Sequence, residues 1–121
     1  MTVETRSVWP DPDLVRGGEP LPADATCDVC VVGAGIAGLT TAYLLAKAGR
    51  RVLVLEAQPK FAAGETEYTT AHLSSVIDDR FGRLKSVRGA ECAKLAYQAH
   101  AAAIDTIEQI ARDERIDCDF L

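Results

Sequence analysis

The chain is short of several things that would mark other classes of protein. It has no excess of basic residues: 13 Lys and Arg stand against 18 Asp and Glu, for a net charge of −5. That balance argues against a surface for nucleic acid or anionic membrane. No apolar run approaches the ~20 residues that cross a bilayer, so a membrane span is not expected. The first 26 residues have neither a basic start nor an apolar core, so they do not read as a secretory signal, and cytoplasm is the expected compartment. Internal repeats and low-complexity tracts are missing. The four cysteines include a single C-x-x-C, Cys27 and Cys30, with no second pair and no Cys/His pair to complete a zinc or iron–sulfur site, so no metal is expected. Redox pairs of that spacing sit at a helix N-terminus. These two read as part of a strand, where residues three apart point to opposite faces. Most of the four cysteines are expected to be small buried apolar residues.

What is present is concentrated between Asp28 and Glu56, in DVCVVGAGIAGLTTAYLLAKAGRRVLVLE. Gly33, Gly35 and Gly38 spell G-x-G-x-x-G. An apolar strand, Cys27 to Val32, precedes them, a helix is expected from about Ile36, and a second strand, Val52 to Leu55, ends on the acid Glu56. Glycines set in a strand–helix–strand unit, with an acid about 20 residues on, form a dinucleotide-binding fingerprint. Gly33 permits the turn out of the strand. Gly35 lets the backbone approach a pyrophosphate, and Gly38 lets the helix pack on the strand. Ala34, Ile36 and Ala37 complete the phosphate-facing segment, where free N–H groups and the helix dipole favour an anion. Ala42, Leu45 and Gly49 continue the face of Gly38, and Gly49 caps the helix. Glu56, followed by Ala57, can accept hydrogen bonds from both hydroxyls of an adenosine ribose, and would repel the 2′-phosphate of NADP. The segment therefore reads as the holder of the adenosine diphosphate half of a large cofactor.

On either side the pattern is coarser. Residues 1–26, rich in Pro, Gly and Asp, read as an extended arm anchored by Trp9, and residues 27–121 as the N-terminal part of a nucleotide-binding domain. Ala57 to Ser75 is a loop with Gly64 and threonines at 66, 69 and 70. Two helices are expected, about Asp78 to Val87 and Ala90 to Arg115. The second carries an apolar stripe of Ala93, Ala96, Tyr97, His100, Ala103, Ile104, Ile107 and Ile110. His100 reads as a packed histidine. Asp78, Asp79, Arg80, Arg83, Lys85 and Arg88 read as a solvated face, and Asp117 to Leu121 as the start of a strand. The fold class is α/β, a partial Rossmann-like fold whose parallel sheet is incomplete, since two parallel strands do not form a stable doubly wound sheet. The chain reads as the N-terminal piece of a longer protein, with apolar faces at Val31, Val54 and Ile107 left exposed.

The loop AQPKFAAGETEYTTAHLSS, joined to the fingerprint, resembles the FAD-dependent oxidoreductases of the D-amino-acid oxidase and glycine oxidase superfamily. TTAHLSS is most similar to a bacterial branch that often carries a C-terminal Rieske iron–sulfur domain. The resemblance covers about Cys27 to Phe120 and implies FAD as cofactor. It implies that Thr69 and Thr70 donate to phosphate oxygens, that Ala71 and His72 come near the flavin ring, and that Gly64 matches the second glycine of a Gly-Gly pair whose first is Ala63 here. It also implies an amine- or amino-acid-type substrate, brought by a domain outside these residues, with catalytic groups that cannot be named within them. His72 is open to three readings: non-covalent flavin contact, covalent flavin attachment, or a structural role. Where the family has Gly-Arg before the threonines this chain has Glu67-Tyr68, an exchange expected to weaken anion binding. Two other readings stand beside this one: an NAD-binding dehydrogenase segment, against which the loop argues, and a non-catalytic fragment. These residues alone are expected to bind FAD poorly and to turn over nothing.

Overall fold

The computed structural model describes residues 17–21 and 23–121. Trp9, the expected anchor of the arm, lies outside the described residues. The chain forms two compact units, Met1–Thr70 and Ala71–Leu121.

The first unit is built on the strand–helix–strand segment: β1 (Val29–Val32), α1 (Ile36–Lys47) and β2 (Val52–Leu55). The strands pair in parallel, Val29 with Val52 through Val32 with Leu55. The first strand starts two residues later than its apolar pattern suggests, and Cys27 lies outside it. Asp28 is the reason. Its carboxylate accepts the Arg51 backbone N–H at 2.8 Å and the Arg51 guanidinium at 3.1 Å, so the residue is spent closing the edge of the ladder. Alternation along β1 leaves Val29 and Val31 half-buried and Cys30 and Val32 exposed. The covered face is the one under α1, where Gly38 approaches Val31. α1 ends where Gly49 N–H and Arg50 N–H return to the carbonyls of Ala46 and Leu45, the paired closure expected of a glycine-terminated helix. After β2 the chain makes a 3₁₀ turn at Glu65–Tyr68. Gly17 packs on the backbone of Pro59 and Gly18 on the ring of Phe61.

The second unit is a helix pair, α2 (Arg80–Arg88) and α3 (Ala90–Asp113). Gly89 closes one and opens the other: its N–H donates to Lys85, and its carbonyl accepts from Ala93. α2 begins at Arg80 and not at Asp78, because Arg80 stands at φ +56, a conformation that cannot extend a right-handed helix backwards. Phe81 and Tyr97 join the pair through an edge-to-face contact, centroids 5.7 Å apart and planes at 81°. Ala93 is buried beneath them. At 1.5 Å per residue α2 is roughly 13 Å long and α3 roughly 36 Å, so α2 can cover only part of its partner. The expected stripe is uneven. Ala96, Ile104, Ile107 and Ile110 are half-buried, while Tyr97, Ala103 and His100 are exposed, so the expectation of a packed His100 does not hold.

Two further expectations are corrected. Asp117 to Leu121 does not form a strand. α3 closes with Arg115 at φ +54 and Ile116 N–H bonded to Ala111, and no described strand offers the chain a ladder beyond that turn. The cysteines are not core residues. Cys27 is half-buried, and Cys30, Cys92 and Cys118 are exposed free thiols. Cys30 lies on the sheet face opposite α1. On β1 the exposed apolar side chain is Val32, 83% accessible, whereas Val31, Val54 and Ile107 are half-buried. The buried apolar residues among those described are all alanines, Ala34, Ala42 and Ala93. No helix among the described residues is long and apolar enough to cross a membrane.

Candidate functional site

The site is assembled where β1 turns into α1. Gly33 leaves the strand at φ +97, a region that costs any residue with a Cβ, and its N–H donates to the Leu55 carbonyl at 2.7 Å. The turn is therefore tied to the end of β2. Gly38 answers for the closeness of helix and turn. A Cβ there would stand 1.9 Å from the Gly33 carbonyl oxygen and 3.4 Å from Val31 Cγ1, so glycine alone fits. Ala34, between them, is fully buried.

Glu56 follows β2 directly. Its carboxylate accepts the Ala34 N–H at 2.6 Å and the Gln58 N–H at 2.9 Å. These backbone donors, Ala34 first and Gln58 second, hold its carboxyl below the usual carboxylate range, because hydrogen bonds to the charged form favour it. Glu56 thus holds the glycine turn in place in addition to presenting an ionised acid at the end of the sheet. That structural task is not visible in the spacing of the motif.

The start of α1 brings the anion-attracting pole. The first turn of a helix has no internal partners for its N–H groups, and no acidic residue stands in the first turn of α1. One N–H of that turn, Ile36, donates to Thr66 Oγ1 at 3.2 Å. A Cβ added at Gly35 would lie 3.4 Å from the same hydroxyl. The loop after β2 is also fastened at Ala62, whose N–H donates to the Ala34 carbonyl at 2.9 Å. Lys60 pairs with Glu67, and that ammonium is the first cause of the lowered pKa of Glu67. The acid of the Glu67-Tyr68 pair is therefore matched by a cation within its own loop.

Of the residues singled out from the sequence, Gly33, Ala34, Gly35, Ile36, Gly38 and Glu56 meet at one place, with Ala37 in the first turn of α1 and Ala57 next to Glu56. Thr69 continues the 3₁₀ turn in extended conformation. Thr69 and Thr70 are exposed at the end of the first unit, and an added Cβ at Gly64 would meet nothing within 4 Å. Ala71 and His72 open the second unit, both exposed. Thr66, Lys60, Gln58 and Ala62 were not identified from the sequence. Thr66 shares a composition with its neighbours 69 and 70, and no residue pattern marks it as the one that reaches α1. An ionised acid beside a glycine turn and the N-terminal pole of a helix suits a ligand with an anionic group and a nearby pair of hydroxyls, and the glycine positions leave the backbone bare where such a group would come close.

Residues 28–121 match the family described as FAD dependent oxidoreductase (DAO). The chain belongs to that family. The match continues past the glycine motif through the loop and both helices. Among curated proteins it is similar to YhfW of Bacillus subtilis, named for a Rieske 2Fe-2S iron–sulfur protein, at 39% identity over 84% of this chain and 20% of that protein. It is similar to gamma-glutamylputrescine oxidoreductase of Escherichia coli at 32% identity over 78% of this chain and 22% of the relative. D-amino acid dehydrogenase of Agrobacterium fabrum is 48% identical over 36% of this chain and 10% of its own length. The chain spans about a fifth of the length of the first two relatives. No solved structure matches it. The partial Rossmann-like fold expected from the sequence is the one this family membership and the short parallel sheet support.

Proposed function

We propose that this chain supplies the FAD-binding part of an oxidoreductase that acts on amine or amino-acid substrates by hydride transfer to flavin. The observation that carries the reading is the joint at Ala34: its N–H is held by Glu56 and its carbonyl by Ala62, within a chain that belongs to the FAD dependent oxidoreductase family. Bound flavin would supply the two-electron acceptor. The protein's own residues would do the rest. Gly33, Ala34, Gly35, Ile36, Ala37 and Gly38 would present bare backbone and the pole of α1 to the pyrophosphate. Glu56, already ionised, would accept from the ribose hydroxyls, with Ala57 beside it. Gly64, Thr69 and Thr70 would line the cofactor's path, and Ala71 and His72 would lie towards the ring, His72 as a non-covalent contact. Residues 1–26 would serve as an arm and 27–121 as the N-terminal part of the flavin domain. The substrate class is supported by relatives whose names specify an amine and an amino acid. A cytoplasmic setting belongs to the same proposal.

The test is to purify the full-length protein and look for flavin. A stoichiometric yellow chromophore that survives gel filtration, and is bleached without oxygen by an amine or amino acid, is the expected result. Binding of NAD with no uptake of FAD would overturn the reading. Bleaching by no member of an amine and amino-acid panel would overturn the substrate class alone.

A further inference from the structure

Glu67 lies on the 3₁₀ turn, and the structure gives it a cation seven residues away. The Lys60 ammonium donates to Glu67 Oε2. The acid's side chain is 14% accessible and the lysine's 42%, so the carboxylate is the more enclosed partner. The pair closes residues 60–67 into a loop. That loop carries both contacts to the glycine turn: Ala62 N–H on the Ala34 carbonyl and Thr66 Oγ1 under the Ile36 N–H. Glu67 is the next residue after Thr66. A carboxylate without its cation here, one residue from the hydroxyl that meets the first turn of α1, would disfavour an anion at that turn.

We propose that Lys60 and Glu67 are a positioning pair, which holds the loop after β2 with Thr66 on the first turn of α1 and keeps the charge of Glu67 away from the cofactor's pyrophosphate. The second half rests on the reading of the site as an FAD site; the first half does not. The pair is a neutral couple whose acid lies on the 3₁₀ turn and whose positive member comes from the segment before it. The two partners are then unequal. Removing the lysine leaves the negative charge of Glu67 without its cation. Removing the acid frees a positive one.

Four forms of the full-length protein test this: wild type, Lys60→Met, Glu67→Gln and the double variant. Two measurements are needed, amide hydrogen exchange at Ile36 and Ala62, and FAD titration at low and high salt. Faster exchange at both amides is expected in each single variant. Unchanged exchange in both would overturn the positioning role, whether or not FAD binds. For the cofactor, Lys60→Met should lose roughly tenfold in affinity, the size of a charge-assisted contact, and added salt should recover part of the loss by screening. Glu67→Gln should lose less, and the double variant should bind better than Lys60→Met. Equal losses in the two single variants, indifferent to salt and not relieved in the double, would leave a structural tie and overturn the electrostatic half. Absence of FAD uptake by the wild type would refute the functional reading and the electrostatic half with it, while the exchange data would still decide the positioning role.

Discussion

The two units of this chain are held together by different means. The first is fixed by backbone groups: Gly33 to Leu55, Ala34 to Glu56, Ala62 to Ala34, and Arg51 to Asp28. Each contact joins residues distant in sequence through an N–H whose direction is set by the strand or turn that carries it. The second is fixed by side chains, chiefly Phe81 on Tyr97 and Ala93 beneath α2. Its exposed apolar residues include Val87, Leu95 and Ile116. The ties of the first unit tolerate little change of conformation, and two of them, on Glu56 and Asp28, also need the acid side chain that accepts. A binding turn built in the first way keeps its shape even though the buried apolar residues around it are no larger than alanine.

The comparison can be broken most sharply at Gly38. Replacement by alanine puts a Cβ against the Gly33 carbonyl at 1.9 Å, which no side-chain adjustment relieves, since the obstacle is backbone. Loss of flavin binding is expected, with separation of α1 from β1. Retention of stoichiometric FAD by a folded Gly38→Ala protein would show that the turn is softer than its geometry.

Glu56→Ala comes next. It removes the acceptor for Ala34 N–H and the acid proposed for the ribose. Hydrogen bonds to a charged group are stronger than neutral ones, so a loss of roughly tenfold to a hundredfold in FAD affinity is expected. Calorimetric titration measures it. An unchanged dissociation constant would remove Glu56 from the site.

Acidification should separate the units more gently. Asp28, Glu56 and Glu67 all have folded pKa values lowered by their partners: the Arg51 N–H and guanidinium, the Ala34 N–H, and the Lys60 ammonium respectively. A depressed carboxylate contributes stability above its unfolded pKa and loses it as pH falls through the folded value. All three lie in the first unit. Amide protection around β1 and β2 should therefore decline as pH drops below the ordinary carboxylate range of about 4, before protection in α2 and α3. Hydrogen exchange at stepped pH reads the order, and a simultaneous loss in both units would contradict the contrast. Glu56→Gln should flatten the acid limb in the first unit alone.

The smallest effect is expected at Phe81→Ala. An edge-to-face aromatic pair contributes about 1 kcal/mol beyond its buried area. Thermal or denaturant unfolding should register a loss of that order or somewhat more, with FAD affinity unchanged. A large fall in affinity would mean that the second unit's packing is coupled to cofactor binding.

Much of the first unit was legible in its residues. β2 and the start of α1 fall where the apolar pattern and the glycines put them, because both are local: a four-residue apolar run bounded by arginine and glutamate, and a helix that must begin after Gly35. β1 was less legible, since the pattern does not reveal that Asp28 turns its side chain to Arg51. The second unit shows the limit more plainly. The helical spacing of Ala93 to Ile110 is real, but it does not say how deeply each residue is covered: His100 and Tyr97 are exposed, and so are three of the four cysteines, whose apolar character says nothing about which face is covered.

By itself the sequence determined the strand–helix–strand unit and the family. Three glycines at fixed offsets, an acid after the second strand and a threonine-bearing loop constrain the backbone locally, and they also place the chain in its family. Only the tertiary structure decided which loop residues reach the turn. Thr66 meets Ile36, Ala62 meets Ala34 and Lys60 neutralises Glu67 because a segment of irregular backbone folds back over the helix start. Such a segment has no period to read, and its partners are chosen by the path of the chain through space.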